Sequence, residues 1–144
     1  MSHTYVQNLM HVVSSTKERR KLIPLDFRPK LWAFMAGVCK SEKLLAHEIG
    51  GMDNHAHLLI QLPSTISLSD AIQEIKTSSS RWMGSAFAWQ RGFAAYSVST
   101  SNKITVARYI QTQDLHHRKM TFEDEFITLL KKHGVEYDPK YVFG

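Results

Sequence analysis

Two histidines separated by one residue, His55 and His57, are a pair whose type and spacing could do chemistry in this 144-residue chain. They lie in segment 53–60, DNHAHLLI, whose apolar residues predict a β-strand. Alternate side chains of a strand share a face, and each residue advances the chain by about 3.3 Å, so both imidazoles can converge on one cation. Neutral imidazole is a good ligand for divalent transition metals. The pair therefore indicates a metal site, although polar residues that decorate a sheet face would give the same pattern.

A second group of reactive side chains lies in segment 106–117, VARYIQTQDLHH. On a helix, Tyr109 and Gln113 are four residues apart and share a face, with His116 one turn further and His117 beside it. Four polar, chemically capable groups on one stripe are unusual for a helix that packs on a core. The alternative is a half-buried tyrosine with its hydroxyl in water. The two histidines are secondary candidates, for contact with an anionic ligand or for support of the helix that carries Tyr109.

The helices and strands that must position these groups are predicted from hydrophobic periodicity and from the residues that typically begin or end such elements. Strands are predicted over 3–13, 44–52, 55–62 and 94–98, with a hairpin turn at 50–54 between the second and third. Helices are predicted from near Asp26 or Phe27, over 67–83 with a capping pair of Ser67 and Asp70, over 102–117 and over 122–132. This order predicts an α+β fold: one antiparallel sheet with helices packed on it, in a ferredoxin-like split β-α-β arrangement. The whole chain, 1–144, is expected to form one domain.

The charge pattern favours an anionic partner. The net charge is +5 and the isoelectric point about 9.4, and no Asp or Glu lies between Ile75 and Gln113. Basic clusters attract phosphate backbones through charge neutralisation and counterion release. A solvated basic face is the alternative. The residues predicted to bind DNA are Lys17, Arg19, Arg20, Arg81, Arg91 and Arg108.

Aromatic residues are interleaved with two of these arginines, and such mixtures can stack unpaired bases while neutralising phosphates. Only one or two of them are expected to contact DNA, because Trp82 and Phe93 also fit positions in a core. The residues concerned are Trp82, Phe87, Trp89, Phe93 and Tyr96.

Several classes of protein and site are excluded by composition. A single cysteine, Cys39, excludes an internal disulfide and a cysteine-rich zinc site. The most apolar run, 31–39, is far shorter than the roughly 20 residues of a membrane-spanning helix. The first residues, MSHTYVQNLM, lack the pattern of a secretion signal. A soluble, reducing compartment is expected.

Four segments together resemble the HUH single-tyrosine transposases of small bacterial and archaeal insertion sequences and their repeat-associated relatives. Segment 15–20, STKERR, with the strand before it, resembles the start of that family. Segments 53–59, DNHAHLL, and 89–99, WQRGFAAYSVS, are similar to its histidine strand and to the stretch before its catalytic helix. Segment 109–117, YIQTQDLHH, is similar to the catalytic helix itself. The resemblance spans nearly the whole chain, with the four segments in the right order and spacing.

The resemblance implies a transposase that cleaves and rejoins single-stranded DNA at element ends through a 5′-phosphotyrosine intermediate. Tyr109 would be the nucleophile, His55 and His57 would hold Mg²⁺ or Mn²⁺, and Gln113 would be the third protein ligand. It also implies hairpin-forming DNA ends as partner and a homodimer in the cytoplasm of a bacterium or archaeon. The active site of that dimer would be completed either within one subunit or by Tyr109 of the other.

Three alternatives stay open on the sequence. One is another HUH nickase, such as a replication initiator or plasmid relaxase. The second is a domesticated relative that cleaves host repeats and no longer moves itself. The third is a non-catalytic ferredoxin-like module that binds single-stranded nucleic acid. Among the other histidines, His11 and His47 are expected to have structural or hydrogen-bonding roles, and His3 and His133 to be incidental.

Overall fold

The computed structural model describes residues 3–144, so Met1 and Ser2 of the predicted domain lie outside it. These residues form four β-strands and five α-helices. The strands are β1 (Leu9–Ser15), β2 (Leu45–Gly51), β3 (His55–Gln61) and β4 (Ala94–Ser97). The helices are α1 (Arg28–Ser41), α2 (Leu68–Met83), α3 (Lys103–Gln111), α4 (Gln113–His116) and α5 (Phe122–Lys132). No helix within residues 3–144 is both long and apolar enough to cross a membrane.

The strands form one antiparallel sheet in the order β2-β3-β1-β4, which confirms the predicted ferredoxin-like fold. The register sets Val13 opposite His57 and Ser15 opposite His55. Because side chains alternate along each strand, one face of the sheet is largely apolar and the other carries the histidines.

The two faces are covered by different helices. On one side, Val12, Leu58 and Ile60 pack in a single apolar cluster with residues of α1 and α2, such as Leu31 and Ile75. On the other side, apolar residues of the sheet form two smaller clusters, one with α3 and one with α5. The split of the second layer into two clusters leaves a polar region between α3 and α5, and the histidines of β3 project into it.

Helix α3 approaches the sheet most closely at Gly50. A side-chain carbon at Gly50 would lie 2.9 Å from the backbone oxygen of Ile110 and 3.0 Å from its side chain. Both Gly50 and Gly51 belong to β2, within the strand predicted over 44–52, and the turn itself is shorter than predicted and comprises residues 52–54. The missing side chain at Gly50 allows α3 to lie against the sheet, and this sets the height of Tyr109 above the histidines.

Two helix starts are fixed by side-chain caps. The Ser67 hydroxyl accepts a hydrogen bond from the Asp70 amide at 3.0 Å, which confirms the predicted cap of α2. The Thr121 hydroxyl accepts one from the Asp124 amide at 3.1 Å and begins α5. This second cap places the acidic first turn of α5 next to the histidines.

Two predicted boundaries are wrong. The first strand begins at Leu9 rather than residue 3. The single helix predicted over 102–117 is broken at Thr112, whose backbone angles of −109° and 30° are not helical. The Thr112 hydroxyl donates to the carbonyl of Arg108 at 2.9 Å, a local bond that competes with regular helix geometry. The break separates Tyr109 on α3 from Gln113 on α4.

Candidate metal centre and tyrosine site

His55 and His57 point from β3 into the polar region between α3 and α5, and both are 0% exposed. Each ring has a partner for its Nδ1 atom. His55 Nδ1 lies 2.8 Å from Asn54 Oδ1, and His57 Nδ1 lies 2.8 Å from His11 Nε2. Without a metal, each Nε2 atom faces an oxygen acceptor, Gln113 Oε1 for His55 and Glu125 Oε1 for His57. A tautomer with the proton on Nδ1, held by these partners, would free Nε2 to bind a metal.

Glu125 of α5 completes this arrangement, and the sequence analysis did not identify it. Its side chain is 1% exposed, and its Oε1 atom lies 3.4 Å from His55 Nε2 and 3.2 Å from His57 Nε2. One signal could have found it. Phe122, Glu125 and Leu129 follow the three- and four-residue spacing of a buried helical stripe, so Glu125 places a charge at an apolar position. A carboxylate at such a position needs polar or metal partners.

The three side chains have the geometry and chemistry of a metal site. Ligand atoms of His55, His57 and Glu125 all lie within 4.8 Å of one another. Bonds of about 2.1 Å to a divalent cation place neighbouring ligands about 3 Å apart, close to the distances between Glu125 Oε1 and the two Nε2 atoms. Two imidazoles and a carboxylate suit a divalent transition metal such as manganese.

Gln113, the ligand implied by the family resemblance, lies in the same group of side chains. It is 2% exposed, and its Oε1 atom lies 2.9 Å from His55 Nε2. Its Nε2 atom donates to Glu125 Oε2 at 2.9 Å. The amide oxygen thus faces the same point as the carboxylate Oε1, and the amide nitrogen holds that carboxylate in place.

The Tyr109 hydroxyl donates a hydrogen bond to Glu125 Oε2. The tyrosine ring lies edge-on to His57, with ring centres 5.8 Å apart. The two oxygens of Glu125 therefore divide their contacts. Oε1 faces the histidines, and Oε2 faces Tyr109 and Gln113. Tyrosine, histidines and carboxylate form one connected group within a single chain.

The two ends of the Tyr109–Glu125 contact have pKa values shifted in opposite directions. Burial alone would raise the pKa of Glu125, but hydrogen bonds from His117, His57 and Tyr109 outweigh it and hold the pKa well below its usual range. Burial, together with the hydrogen bond to the ionised Glu125, raises the pKa of Tyr109. The proton therefore stays on the tyrosine when no cation is bound.

Two imidazoles of the site are neutral over the whole physiological range. Burial, reinforced by the neighbouring His57, lowers the pKa of His11 to about 3 and that of His55 to about 3. Neutral imidazole is the form that coordinates metal, so His55 needs no deprotonation before it can bind. The expected hydrogen-bonding role of His11 agrees with its contact to His57.

His116 and His117 contact different parts of the site. His117 Nε2 lies 3.0 Å from Glu125 Oε1 and 3.0 Å from Gln113 Oε1. Burial would lower the pKa of His117, but the hydrogen bond and charge of Glu125 raise it above its ordinary value. The ring of His116 packs on Tyr109, with centres 4.5 Å apart, and its Nε2 lies 3.2 Å from the Thr112 hydroxyl.

The arginines and the lysine predicted to bind DNA do not gather at this site. Lys17, Arg19 and Arg20 lie in the turn after β1, where Arg19 donates to the carbonyl of Phe143 at 3.1 Å and Arg20 pairs with Glu18 at 3.2 Å. The other three are separate. Arg108 is exposed on α3 beside Tyr109, whereas Arg81 and Arg91 line a cavity next to α2, on the other side of the sheet.

The aromatic candidates are divided by burial. Phe87 is 6% exposed and Tyr96 3% exposed, so neither can stack on a base. Trp82 is 41% exposed and stacks on Phe34, with ring centres 4.6 Å apart. Trp89 and Phe93 line the same cavity as Arg81 and Arg91. These two aromatics remain as candidates for contact with DNA at that cavity.

Comparison with known proteins agrees with this architecture. A family model described as "Transposase IS200 like" matches residues 4–113. A candidate transposase from Deinococcus radiodurans R1 is 20% identical, with a TM-score of 0.63, over 78% of this chain and 96% of that one. A REP-associated tyrosine transposase solved with a bound REP hairpin is 18% identical, with a TM-score of 0.64, over 81% of this chain and 73% of that one. At these identities the two structures establish a shared fold. None of the curated proteins matches the chain.

Proposed function

Because this chain belongs to the IS200-like transposase family, we propose that it cleaves and rejoins single-stranded DNA at element ends through a covalent 5′-phosphotyrosine intermediate. The observation that carries the proposal is the contact between the Tyr109 hydroxyl and Glu125, the residue that also faces His55 and His57. A nucleophile and a set of metal-binding atoms share one carboxylate. Such sharing is what a metal-assisted attack on phosphorus needs.

In this proposal His55, His57 and Glu125 hold a divalent cation, Mg²⁺ or Mn²⁺, and Gln113 Oε1 is a fourth ligand. The presence of two imidazoles favours Mn²⁺, because Mg²⁺ prefers oxygen ligands. A bound cation would withdraw charge from the scissile phosphate and favour the ionised form of the tyrosine. Asn54 and His11 act through the two histidines, by keeping their Nε2 atoms directed at the site.

Tyr109 is the proposed nucleophile. Its oxygen forms a bond to phosphorus while the bond from phosphorus to the 3′ oxygen breaks, which leaves a free 3′-hydroxyl and a 5′-phosphotyrosine. Glu125 Oε2 orients the tyrosine oxygen through the hydrogen bond that holds its proton. Attack by a second 3′-hydroxyl on the same phosphorus reverses the reaction and rejoins DNA, so no nucleotide triphosphate is consumed.

A cavity of about 560 Å³ lies beside the metal-binding group, and His117 both lines it and contacts Glu125 Oε1. It is bordered by His117, by three cationic side chains, Lys21, Arg118 and Lys119, and by three acidic ones, Asp53, Glu123 and Asp124. Asn54, the partner of His55, also lines it. Because His117 and Asn54 join this cavity to the metal-binding group, we propose that the scissile strand enters here, with its phosphate on the cationic side chains.

The relative solved with a REP hairpin favours hairpin-forming DNA as the substrate of this chain also. We further propose a homodimer, as the family resemblance implies. The placement of Tyr109 beside Glu125 of the same chain supports an active site completed within one subunit. Sedimentation equilibrium of the free protein tests the dimer independently of the chemistry.

The experiment that tests the reaction is detection of a covalent protein–DNA adduct on a denaturing gel. The substrates are both single strands of the DNA that flanks the gene, with Mn²⁺ or Mg²⁺. Tyr109→Phe is compared with Tyr141→Phe, which removes an exposed hydroxyl (62% exposed) far along the chain. We expect an adduct in wild type and Tyr141→Phe, and none in Tyr109→Phe or with EDTA. An adduct that persists in Tyr109→Phe contradicts the assignment of the nucleophile. Strand binding without an adduct on either flank would favour the non-catalytic module.

A further inference from the structure

A cavity of about 690 Å³ lies away from the metal centre. It is formed between α2 and the loop 88–93 that precedes β4, and we call it the α2 groove. Its walls combine Trp89 and Phe93 with Lys76, Arg81 and Arg91. No carboxylate is among its lining residues, so the charge of the α2 groove is entirely positive.

The loop wall of the α2 groove is held in place by polar contacts. The Lys76 ammonium donates to the carbonyls of Gln90 at 2.6 Å and Gly92 at 2.7 Å. The Trp89 indole N–H donates to the Ser79 hydroxyl at 2.9 Å. These bonds fix both ends of the loop to α2. The aromatic and cationic side chains of the groove are therefore positioned before any ligand arrives.

Two cations of the α2 groove are available to a ligand. Lys76 is already committed to two carbonyls. In contrast, Arg81 and Arg91 are exposed, and neither makes an ion pair within residues 3–144. Their guanidinium groups can donate hydrogen bonds to a phosphate. Phe93, which is 38% exposed, presents an aromatic surface beside them. Aromatic surface together with unpaired arginine is the combination that binds a nucleotide in a single strand.

The loop also connects the α2 groove with the metal side of the sheet. Gln90, Arg91, Gly92 and Phe93 border a smaller cavity of about 250 Å³ whose opposite wall includes Phe122. Phe122 stacks on His55, with ring centres 4.4 Å apart. A strand that crosses this loop thus passes from the groove toward the metal-binding residues.

We propose that the α2 groove binds an unpaired nucleotide of the single-stranded substrate, with its base against Phe93 and Trp89 and its phosphate on Arg81 and Arg91. This inference rests on the proposed function only for the identity of the polymer. It adds a second anchoring point, on the other side of the sheet from Tyr109. Binding there would hold the strand while the scissile phosphate reaches the metal centre.

The test measures binding of a fluorescein-labelled 20-nucleotide single strand of mixed sequence, by anisotropy over a range of salt concentrations. Phe93→Ala removes the stacking surface, and Trp82→Ala is its matched control, with a similarly exposed aromatic outside the groove. Arg91→Ala removes one groove charge, and Lys40→Ala removes one exposed charge from α1. One base–aromatic stack contributes about 1–3 kcal/mol, so Phe93→Ala should weaken binding by roughly 5-fold or more.

We expect Arg91→Ala to reduce the slope of log affinity against log salt by about 0.7, and Phe93→Ala to leave that slope unchanged. Both controls should stay within about twofold of wild type in affinity. A strand that carries 4-thiothymidine supplies a second readout, because cross-links should map to peptides that contain residues 69–93. The proposal is overturned if Phe93→Ala and Arg91→Ala bind like their controls, or if cross-links map elsewhere.

The adduct experiment separates this proposal from the proposed reaction. If wild type forms the Tyr109 adduct while the groove variants bind normally, the reaction stands and the α2 groove is not a DNA site. If the groove variants lose binding and wild type forms no adduct, the groove is a DNA site in a protein without that chemistry.

Discussion

Glu125 Oε2 accepts the hydrogen bond of the Tyr109 hydroxyl, while Oε1 of the same carboxylate lies 3.2 Å from His57 Nε2. A single side chain on α5 thus links the proposed nucleophile to the proposed metal ligands. The family model covers residues 4–113, so it includes Tyr109 and His57 but not Glu125. Removal of its charge is the most direct test of the site.

Glu125→Gln should lower the affinity for Mn²⁺ by at least about tenfold, because a ligand carboxylate is replaced by a neutral amide. Asp124→Asn is the matched control, since it neutralises an exposed acid one residue away on the same helix. Isothermal titration calorimetry with Mn²⁺ measures both. Equal affinity in Glu125→Gln and Asp124→Asn would exclude Glu125 as a ligand.

Gln113→Glu should lower the stability of the metal-free protein and strengthen its binding of Mn²⁺. The new carboxylate would lie against Glu125, because the Gln113 amide nitrogen is 2.9 Å from Glu125 Oε2. Repulsion between two buried carboxylates should lower the melting temperature of the metal-free protein. Added Mn²⁺ should then raise that temperature more than in wild type, since a tighter ligand set stabilises the folded state by mass action.

Thermal unfolding with and without 1 mM Mn²⁺, a concentration of the order used for weak metal sites, measures both effects. Gln73→Glu is the control, because residue 73 is exposed on α2, on the other side of the sheet from the site. A metal-induced shift no larger than that of wild type would show that residue 113 does not coordinate the cation.

The sequence predicted the sheet and most helices because their signals are local. Alternating apolar residues mark β3, and Ser67 with Asp70 marks the start of α2 whatever the rest of the chain does. The family resemblance placed Tyr109 and Gln113 near the two histidines, and the structure brings these side chains together.

The role of Glu125 was harder to predict from the residues next to it in the sequence. It follows Glu123 and Asp124 in the first turn of α5, where acidic residues are favoured by the helix dipole and are normally exposed. Only packing of α5 against β3 buries this one acid, and that packing depends on residues 68 positions apart. The break at Thr112 has a similar origin, since one side-chain bond competes there with an otherwise helical pattern.

The fold should be destabilised by mild acid. His11 and His55 have pKa values of about 3 in the folded protein against the ordinary 6.5. As the pH falls below about 6.5, these histidines bind protons in the unfolded chain but stay neutral in the folded protein. The free energy of unfolding therefore decreases. Each imidazole contributes on the order of 2 kcal/mol of this loss between pH 7 and pH 5.

His117 contributes to the pH dependence of stability with the opposite sign. Its pKa is raised, so its stabilising pair with Glu125 is fully formed below pH 6.5 and is lost as the pH rises through the raised value. This one contribution opposes those of His11 and His55, and we expect the net effect of acidification to be a loss of stability. Urea unfolding of the metal-free protein at pH 7, 6 and 5 measures it.

His11→Gln should flatten this pH dependence, whereas His3→Gln, which removes an exposed imidazole, should keep it. The comparison uses slopes against pH, so it holds even if His11→Gln is less stable at every pH. A wild-type stability that does not change between pH 7 and pH 5 would contradict the burial of neutral His11 and His55.

Gly50→Ala should displace α3 and lower the stability of the fold. The added carbon would lie 2.9 Å from the backbone oxygen of Ile110, which cannot move without a shift of the helix. Overpacking of this kind costs about 1–3 kcal/mol. Because Tyr109 precedes Ile110, the same shift should separate its hydroxyl from Glu125 and reduce adduct formation beyond the loss of folded protein.

Gly37→Ala is the matched control, since Gly37 lies within α1 and no heavy atom is within 4 Å of an added carbon. Alanine there should raise stability by roughly 0.5–1 kcal/mol through its higher helix propensity. Urea unfolding gives both values, and the adduct yield per folded molecule gives the effect on Tyr109. If Gly50→Ala matched Gly37→Ala in both measurements, contact of α3 with the sheet at Gly50 would not be what positions the tyrosine.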